Sequence, residues 1–489
     1  MEYHSFWEKT EMPRFPEQSE NINCSICIVG CGLCGLLIAY ELLDRGVDPA
    51  GIVLIDAKRV GSGTTSHSTA KLTAQHGLIY DRLVRQQGVE KAFQYAKANE
   101  SGVLRAQEIA KKLRLKSIQK LPSYIYATTT EQRESLEREA KAARALGFDV
   151  DLTVECELPF PVEGALRFEK QAALNPAEFV KALVQDLTER GCIIYENTKA
   201  LYPEKNVIVT DKGKIFAEKV VISTRFPFAD KHGLFFAKLY QQRSYLLLLN
   251  GTPKINGCYV GAQNTGLSFR PYRDQLLLCG TADEEGRLYT GFYDLIRRVV
   301  DLYPDCEVVE KWSGEDCMTH DGIPYIGRYK ALPGEMYLAT GFNKWGISTS
   351  FAAGQILADQ ITRGYSEYED VFSPSRSLVS GGMKSLFVRS AEIATEFVTD
   401  LFHSPKKSAK ALAPGESAVV SEKGKKICAC RDERGLHQVV HRCTHMNCPL
   451  EWNGAEQVWD CPCHGSRFDV DGQVISGPAQ RDLDQIKEK

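Results

Sequence analysis

The chain has no apolar run approaching the roughly 18 residues that a membrane-spanning helix requires. Its longest candidate, the stretch 245–249 within SYLLLLNG, has only the length of a strand. It also has no charge bias: 60 Lys and Arg against 63 Asp and Glu leave a net charge of −3, which argues against a nucleic-acid partner. The opening MEYHSFWEKTEMPRF lacks the basic, apolar and twin-arginine features of an export signal, so the expected location is cytoplasmic. Cysteine, by contrast, is plentiful, with 16 among 489 residues of otherwise ordinary soluble composition. In a cytoplasmic chain that number argues against a disulfide framework and for buried thiols with some metal or redox chemistry. The length predicts two or three domains.

Four of the cysteines fall in CSICIVGCGLCG, residues 24–35, at C-x2-C-x3-C-x2-C spacing, which resembles a metal cradle. The same residues contain Gly30, Gly32 and Gly35 after an apolar strand at 25–29. A helical pattern follows at 36–43, then a second strand at 51–55 that ends on Asp56, 21 residues after Gly35. Strand, glycine turn, helix, strand and acid form the dinucleotide arrangement. In it Gly30 makes the turn, Gly32 admits a pyrophosphate, Gly35 lets helix and strand approach, and Asp56 accepts from a ribose hydroxyl. The cluster reading fails on geometry. Cys24 and Cys27 are expected on opposite faces of the strand. Cys34 stands at the helix start, where bulk would crowd phosphates, and the order differs from ferredoxin spacing.

After Asp56 comes a hydroxyl-rich loop, GSGTTSHSTAKLTAQ, in which Ser62, Thr64 and Thr65 are candidate phosphate contacts. A capped helix is predicted from Asn175 to Gly191. HDGIPYIG (320–327) and YLATGFNKWGIS (337–348) then precede a helix at 351–361. This order resembles the flavin oxidoreductases of the D-amino-acid oxidase/glycine oxidase superfamily over roughly residues 5–365. The resemblance implies a Rossmann-type FAD-binding domain with an inserted α+β substrate domain. Gly30, Gly32, Gly35 and Asp56 would hold FAD, and Gly341, Gly346 and Ile347 would lie along the isoalloxazine edge. The FAD-binding parts are expected at about 22–80, 166–225 and 313–365, and the substrate-side parts at about 80–165 and 226–312, within a unit spanning 1–380.

Two departures bear on the substrate. The family's acid is commonly Glu where this chain has Asp56, a tolerable shortening. Amino-acid-oxidizing members often carry a G-L-R-P stretch whose arginine pairs with a carboxylate. Here the stretch is Gly314-Glu315-Asp316-Cys317, so Asp316 holds that position and suits a cationic amine. Arg270 or Arg273 could replace the clamp, and Lys71 and His76 are candidate modulators of the flavin ring. Only one dinucleotide fingerprint is present, so the hydride is expected from an organic substrate bound at the flavin rather than from NAD(P)H.

A helical pattern at 383–402, expected to pack on the flavin domain, leads into a linker that runs to 411 or slightly beyond. Then come CTHMNC (443–448) and CPCHGS (461–466), with 15 residues between His445 and Cys461. This resembles a Rieske [2Fe–2S] domain, a small all-β unit over roughly 412–489; zinc is the alternative for any Cys2His2 set. The tight C-x-H spacing and the GPA segment at 477–479 favour the Rieske reading. By resemblance Cys443 and Cys461 ligate one iron and His445 and His464 the other, an exchange of thiolate for neutral imidazole that raises the potential. Cys448 and Cys463 match the pair that respiratory-type members join as a disulfide, so a disulfide is expected there. Ser466 matches a serine that donates to a cluster sulfur, whereas the tyrosine often found two residues on is Phe468. The whole predicts a dehydrogenase that takes electrons from a small amine or amino acid. They would pass through FAD and the cluster to an unidentified protein or quinone acceptor, with no nucleic acid and no membrane span involved. The alternatives are an electron-transfer partner of an oxygenase, or a redox carrier or sensor.

Overall fold

Strand β1 (Ile22–Val29) lies inside the first sheet, parallel to β2 (Ile52–Ile55) on one side and to the strand Lys214–Ile222 on the other. The sheet continues in parallel to Ile193–Tyr195 and to Glu335–Thr340, with antiparallel strands added at its far edge. These relationships come from a computed structural model that describes residues 4–230, 234–263, 266–281, 291–331, 334–377, 380–402, 405 and 407–486. Ile26 and Ile28 point into one apolar layer and Cys27 and Val29 into another, as a strand buried on both faces requires. Helix α1 (Leu33–Asp44) is apolar nearly all round and is buried accordingly. The helix Pro176–Glu189 begins as expected: Asn175 Oδ1 accepts from the N–H groups of Ala177 and Glu178, at 3.0 and 3.2 Å.

The second sheet has eight strands, mostly antiparallel, and ends in two long ones, Leu239–Asn250 and Glu307–Thr319. The latter strand runs through the 312/313 boundary expected between substrate-side and FAD-binding parts. Beyond residue 416 only β structure is found among the described residues: a three-stranded and a four-stranded sheet. The 443–448 and 461–466 boxes lie in the loops of this small unit, as the all-β expectation has it.

The helix expected to pack on the flavin domain, Ser380–Phe402, does so only in part. Met383, Phe387, Val388 and Val398 are exposed, and polar ties hold the helix toward its two ends. Ser385 meets His320, and Asp400 binds Lys426, His441 and Arg442. Side chains 380, 381, 389, 392–394, 396, 397, 399, 401 and 402 lie outside the described set.

Candidate redox sites and the joint between them

The glycine loop is built as its spacing suggests. Gly30 has φ +109°, and a Cβ on Gly35 would stand 1.9 Å from the Gly30 carbonyl oxygen, so only glycine lets α1 start against the loop. A Cβ on Gly32 would come within 3.3 Å of Thr65 Oγ1, which itself accepts from the Leu33 N–H at 3.1 Å. Asp56 closes β2 and receives the N–H of Cys31 at 2.8 Å and of Lys58 at 2.9 Å. One bond on each carboxylate oxygen leaves a lone pair on each for a ribose hydroxyl. Thr64 Oγ1 donates to the Glu315 carbonyl at 3.3 Å, while Ser62 Oγ turns back to the Arg59 carbonyl.

The cysteines between these glycines are packing groups. Cys27, Cys31 and Cys34 are buried, and burial pushes the Cys34 thiol up to about 12. Cys24, expected on the face opposite Cys27, packs against the same apolar layer. Among the described residues the sole group with metal-holding spacing lies elsewhere, at Cys448, Cys461 and Cys463.

In the second glycine segment, a Cβ on Gly341 (φ +71°) would meet Thr319 Cγ2 at 2.4 Å. Asn343 and Lys344 follow, both with positive φ, a conformation that costs non-glycine residues about 1–3 kcal/mol each. The Asn343 side chain holds the turn by accepting from Thr319 N–H and donating to the Gly341 carbonyl. No side chain caps the helix that starts at Gly346, which leaves its first N–H groups, including that of Ile347, for another acceptor.

The four candidate catalytic side chains divide into two pairs. His76 is locked: Nδ1 meets Tyr95 Oη at 2.7 Å and Nε2 meets the Thr73 carbonyl and Ser348 Oγ at 2.9 Å, with the ring stacked on Trp345. Burial pushes its pKa down to about 3. Arg270 is held too, donating to the carbonyls of Thr69 and Leu174 and lying against the rings of Trp7 and Tyr272. Lys71 instead rests its Nζ on Thr69 and Ser268, and Asp316 lies opposite Gln242 on the paired strand. Cys279 feels the charges of Lys71, Lys344 and Asp316. Burial lowers the Lys71 pKa and raises that of Asp316, the latter opposed by Lys344 and Arg225. Nothing in the sequence marks Lys344, since one lysine in a glycine-rich turn has no spacing to single it out.

In the small C-terminal unit, Cys443 and Cys461 are both buried in one core cluster, where the Ser466 hydroxyl oxygen accepts from the Ala479 N–H at 3.0 Å. The rings of His445 and His464 stand 5.0 Å apart, and the Nδ1 atom of each is buried without a hydrogen-bond partner. Two adjoining thiols and two orphaned imidazole nitrogens are the donor set of a Rieske cluster, so the residues present fit it. The expected Cys448–Cys463 disulfide is not formed. Both are free thiols, and with the Cys461 sulfur they pack within 4.8 Å of one another.

Strand alternation joins the two sites. Leu239–Asn250 and Glu307–Thr319 pair with Gln241 opposite Cys317, Gln242 opposite Asp316 and Arg243 opposite Glu315. Gln241, Arg243 and Glu315 reach the C-terminal unit, while neighbouring Asp316 and Ser244 turn to the Cys279 side. Glu315 binds Arg225, Arg243 and Arg467, and Arg243 and Arg467 both bind Glu456 and Asp460. Burial alone would raise the Glu315 pKa, but its three arginines hold it well below the usual carboxylate range. Gln480 Nε2 donates to the Phe228 carbonyl at 2.7 Å, and Asp230 Oδ2 lies 2.6 Å from His445 Nε2. The histidine edge of the C-terminal unit therefore faces the flavin domain.

The profile of FAD dependent oxidoreductases matches residues 25–360, and that of the Rieske [2Fe-2S] domain matches 404–487. The chain belongs to the FAD dependent oxidoreductase family. It binds FAD and, through its Rieske domain, a [2Fe–2S] cluster. A Bacillus subtilis (strain 168) protein named for a Rieske 2Fe-2S centre, YhfW, is 33% identical over 99% of this chain and 97% of its own length. Glycine oxidase of Geobacillus kaustophilus is 26% identical over 69% of this chain and 93% of its own. The crystal structure of L-proline dehydrogenase from P. horikoshii superimposes with a TM-score of 0.61 at 19% identity, over 74% of this chain and 98% of that one, a likeness of fold.

Proposed function

We propose that this family member is a dehydrogenase of a small amine or amino acid, oxidized at a C–N bond, whose electrons leave through the Rieske domain to an external acceptor. When bound, FAD supplies a two-electron acceptor for hydride and the cluster a one-electron relay. The observation that carries the reading is the pairing of Glu315 with the Rieske arginine on one face of a strand while Asp316 takes the other. A single strand pair thus separates the substrate side from the Rieske domain.

The residues have distinct tasks in this reading. Gly30, Gly32, Gly35, Asp56 and Thr65 hold the dinucleotide, with Ser62 and Thr64 steadying the hydroxyl-rich loop. Gly341, Gly346 and Ile347 border the ring. Asp316 receives a substrate ammonium, and Lys71, whose Nζ rests on Thr69 and Ser268, supplies positive charge nearby. Cys443, Cys461, His445 and His464 hold the cluster. The relatedness to glycine oxidase supports the C–N substrate class. Fourteen unpaired thiols beside the two cluster ligands suit a reducing compartment such as the cytoplasm. No helix of the described residues is long and apolar enough to cross a membrane.

Anaerobic addition of candidate amines, amino acids and NAD(P)H to the purified chain tests the proposal. An amine or amino acid should bleach the flavin absorbance and then reduce the cluster. Bleaching by NADH alone would point to the oxygenase-partner reading, and no bleaching by any small donor to a carrier.

A further inference from the structure

The contact between Asp230 and His445 does more than hold two domains together. Asp230 is 6% exposed, and its Oδ1 is pinned by the Phe236 N–H at 2.7 Å, which aims Oδ2 at His445 Nε2, 2.6 Å away. The His445 side chain is only 7% exposed, so this pair is shielded from water. A carboxylate can only accept; the bond therefore places a proton on Nε2 and leaves the ring's lone pair on Nδ1. That Nδ1 is the buried atom with no hydrogen-bond partner, as is His464 Nδ1 beside it. The rings of Phe226 and Phe236 border the two histidines at 6.4 and 6.2 Å, which keeps the surroundings apolar and the carboxylate's charge poorly screened.

We propose that Asp230, contributed by the flavin domain, is a positioning residue for the Rieske cluster. It fixes the tautomer and orientation of His445 for iron ligation, and its negative charge holds the reduction potential of the cluster down. The charge argument is direct: adding an electron to the cluster costs more when a carboxylate lies against one of its ligands. Because the bond occupies His445 Nε2, that atom is also withheld from any outside hydrogen-bonding acceptor such as a quinone. The inference rests on the ligand set proposed above and not on the identity of the substrate.

The test uses the full-length holoprotein, with iron content, the electron paramagnetic resonance spectrum of the reduced cluster and its midpoint potential measured at one fixed pH. Asp230→Asn keeps the size of the side chain and removes the charge; its midpoint should move to a more positive value. Asp230→Glu should stay nearer to wild type. Loss of the cluster from Asp230→Asn with the flavin retained would equally support the positioning role. An unchanged midpoint and spectrum in Asp230→Asn, with full iron content, would overturn the proposal. His445→Ala separates this from the ligand set: if that variant keeps a Rieske-type spectrum, the ligand assignment itself is wrong.

Discussion

Gln241, on a strand of the flavin domain, donates through Nε2 to the backbone carbonyl of His464 at 3.0 Å and to that of Gly477 at 2.9 Å. One side chain thereby ties down both the second cluster box and the GPA loop beside it. Each such bond contributes about 0.5–1.5 kcal/mol. Gln241→Ala should speed amide hydrogen exchange across 461–466 and 477–479 while leaving β1 unchanged. Equal exchange in both regions would show that the loops are held by other contacts.

Glu315 is the acid on which the interdomain arginines converge. Glu315→Ala removes the acid shared by three half-buried arginines: Arg243 and Arg467 keep Glu456 and Asp460, while Arg225 loses its carboxylate partner. The urea midpoint followed through the cluster's visible absorbance should fall, and more than in Gln241→Ala.

His76 is held neutral by burial, with its pKa pushed down to about 3. A base with a depressed folded pKa adds stability that is present above its unfolded value of about 6.5 and lost as pH falls toward the folded one. His76→Gln removes the titrating ring. Between pH 7 and pH 5 the variant should lose about 2 kcal/mol less stability than wild type, measured by denaturant titration.

Phe468 is fully buried in the Rieske core, close to the cluster loops. Phe468→Tyr offers a hydroxyl that can donate toward the cluster and stabilise its reduced charge, so its midpoint potential should rise. A redox titration with no rise would mean that the new hydroxyl finds another partner.

The two cysteine-rich stretches should respond oppositely to substitution. Cys24→Ser and Cys27→Ser should keep full iron content, since those thiols only fill space between apolar layers. Cys443→Ser should lose the iron and keep the flavin absorbance.

What sequence can reveal follows from where the information lies. The glycine loop, Asp56, the Asn175 cap and both cluster boxes depend on short-range spacing, and each is legible in the order of residues alone. Asp316 stands out because a family pattern makes its position conspicuous. Asp230, Gln241, Arg243 and Lys344 are not legible in this way. Each is an ordinary polar residue whose meaning arises when a segment distant in the chain docks beside it. The exposed face of the helix Ser380–Phe402 departs from expectation for a related reason, since apolar periodicity states which face is alike but not what covers it. The disulfide expectation carries over a pairing from other proteins, whereas here a third sulfur, that of Cys461, packs beside the two.

A Cβ on Gly465 would lie 2.7 Å from the Cβ of Gln241, so a residue inside the cluster box is kept small by a side chain of the other domain. This bears on how interchangeable the two modules are. A Rieske unit transplanted from another protein would need, besides the glycine and the four ligands, counterparts of Glu456 and Arg467 to answer Arg243 and Glu315. A working chimera must therefore exchange matched residues on both sides of the seam, because neither module alone carries the complete address of the other.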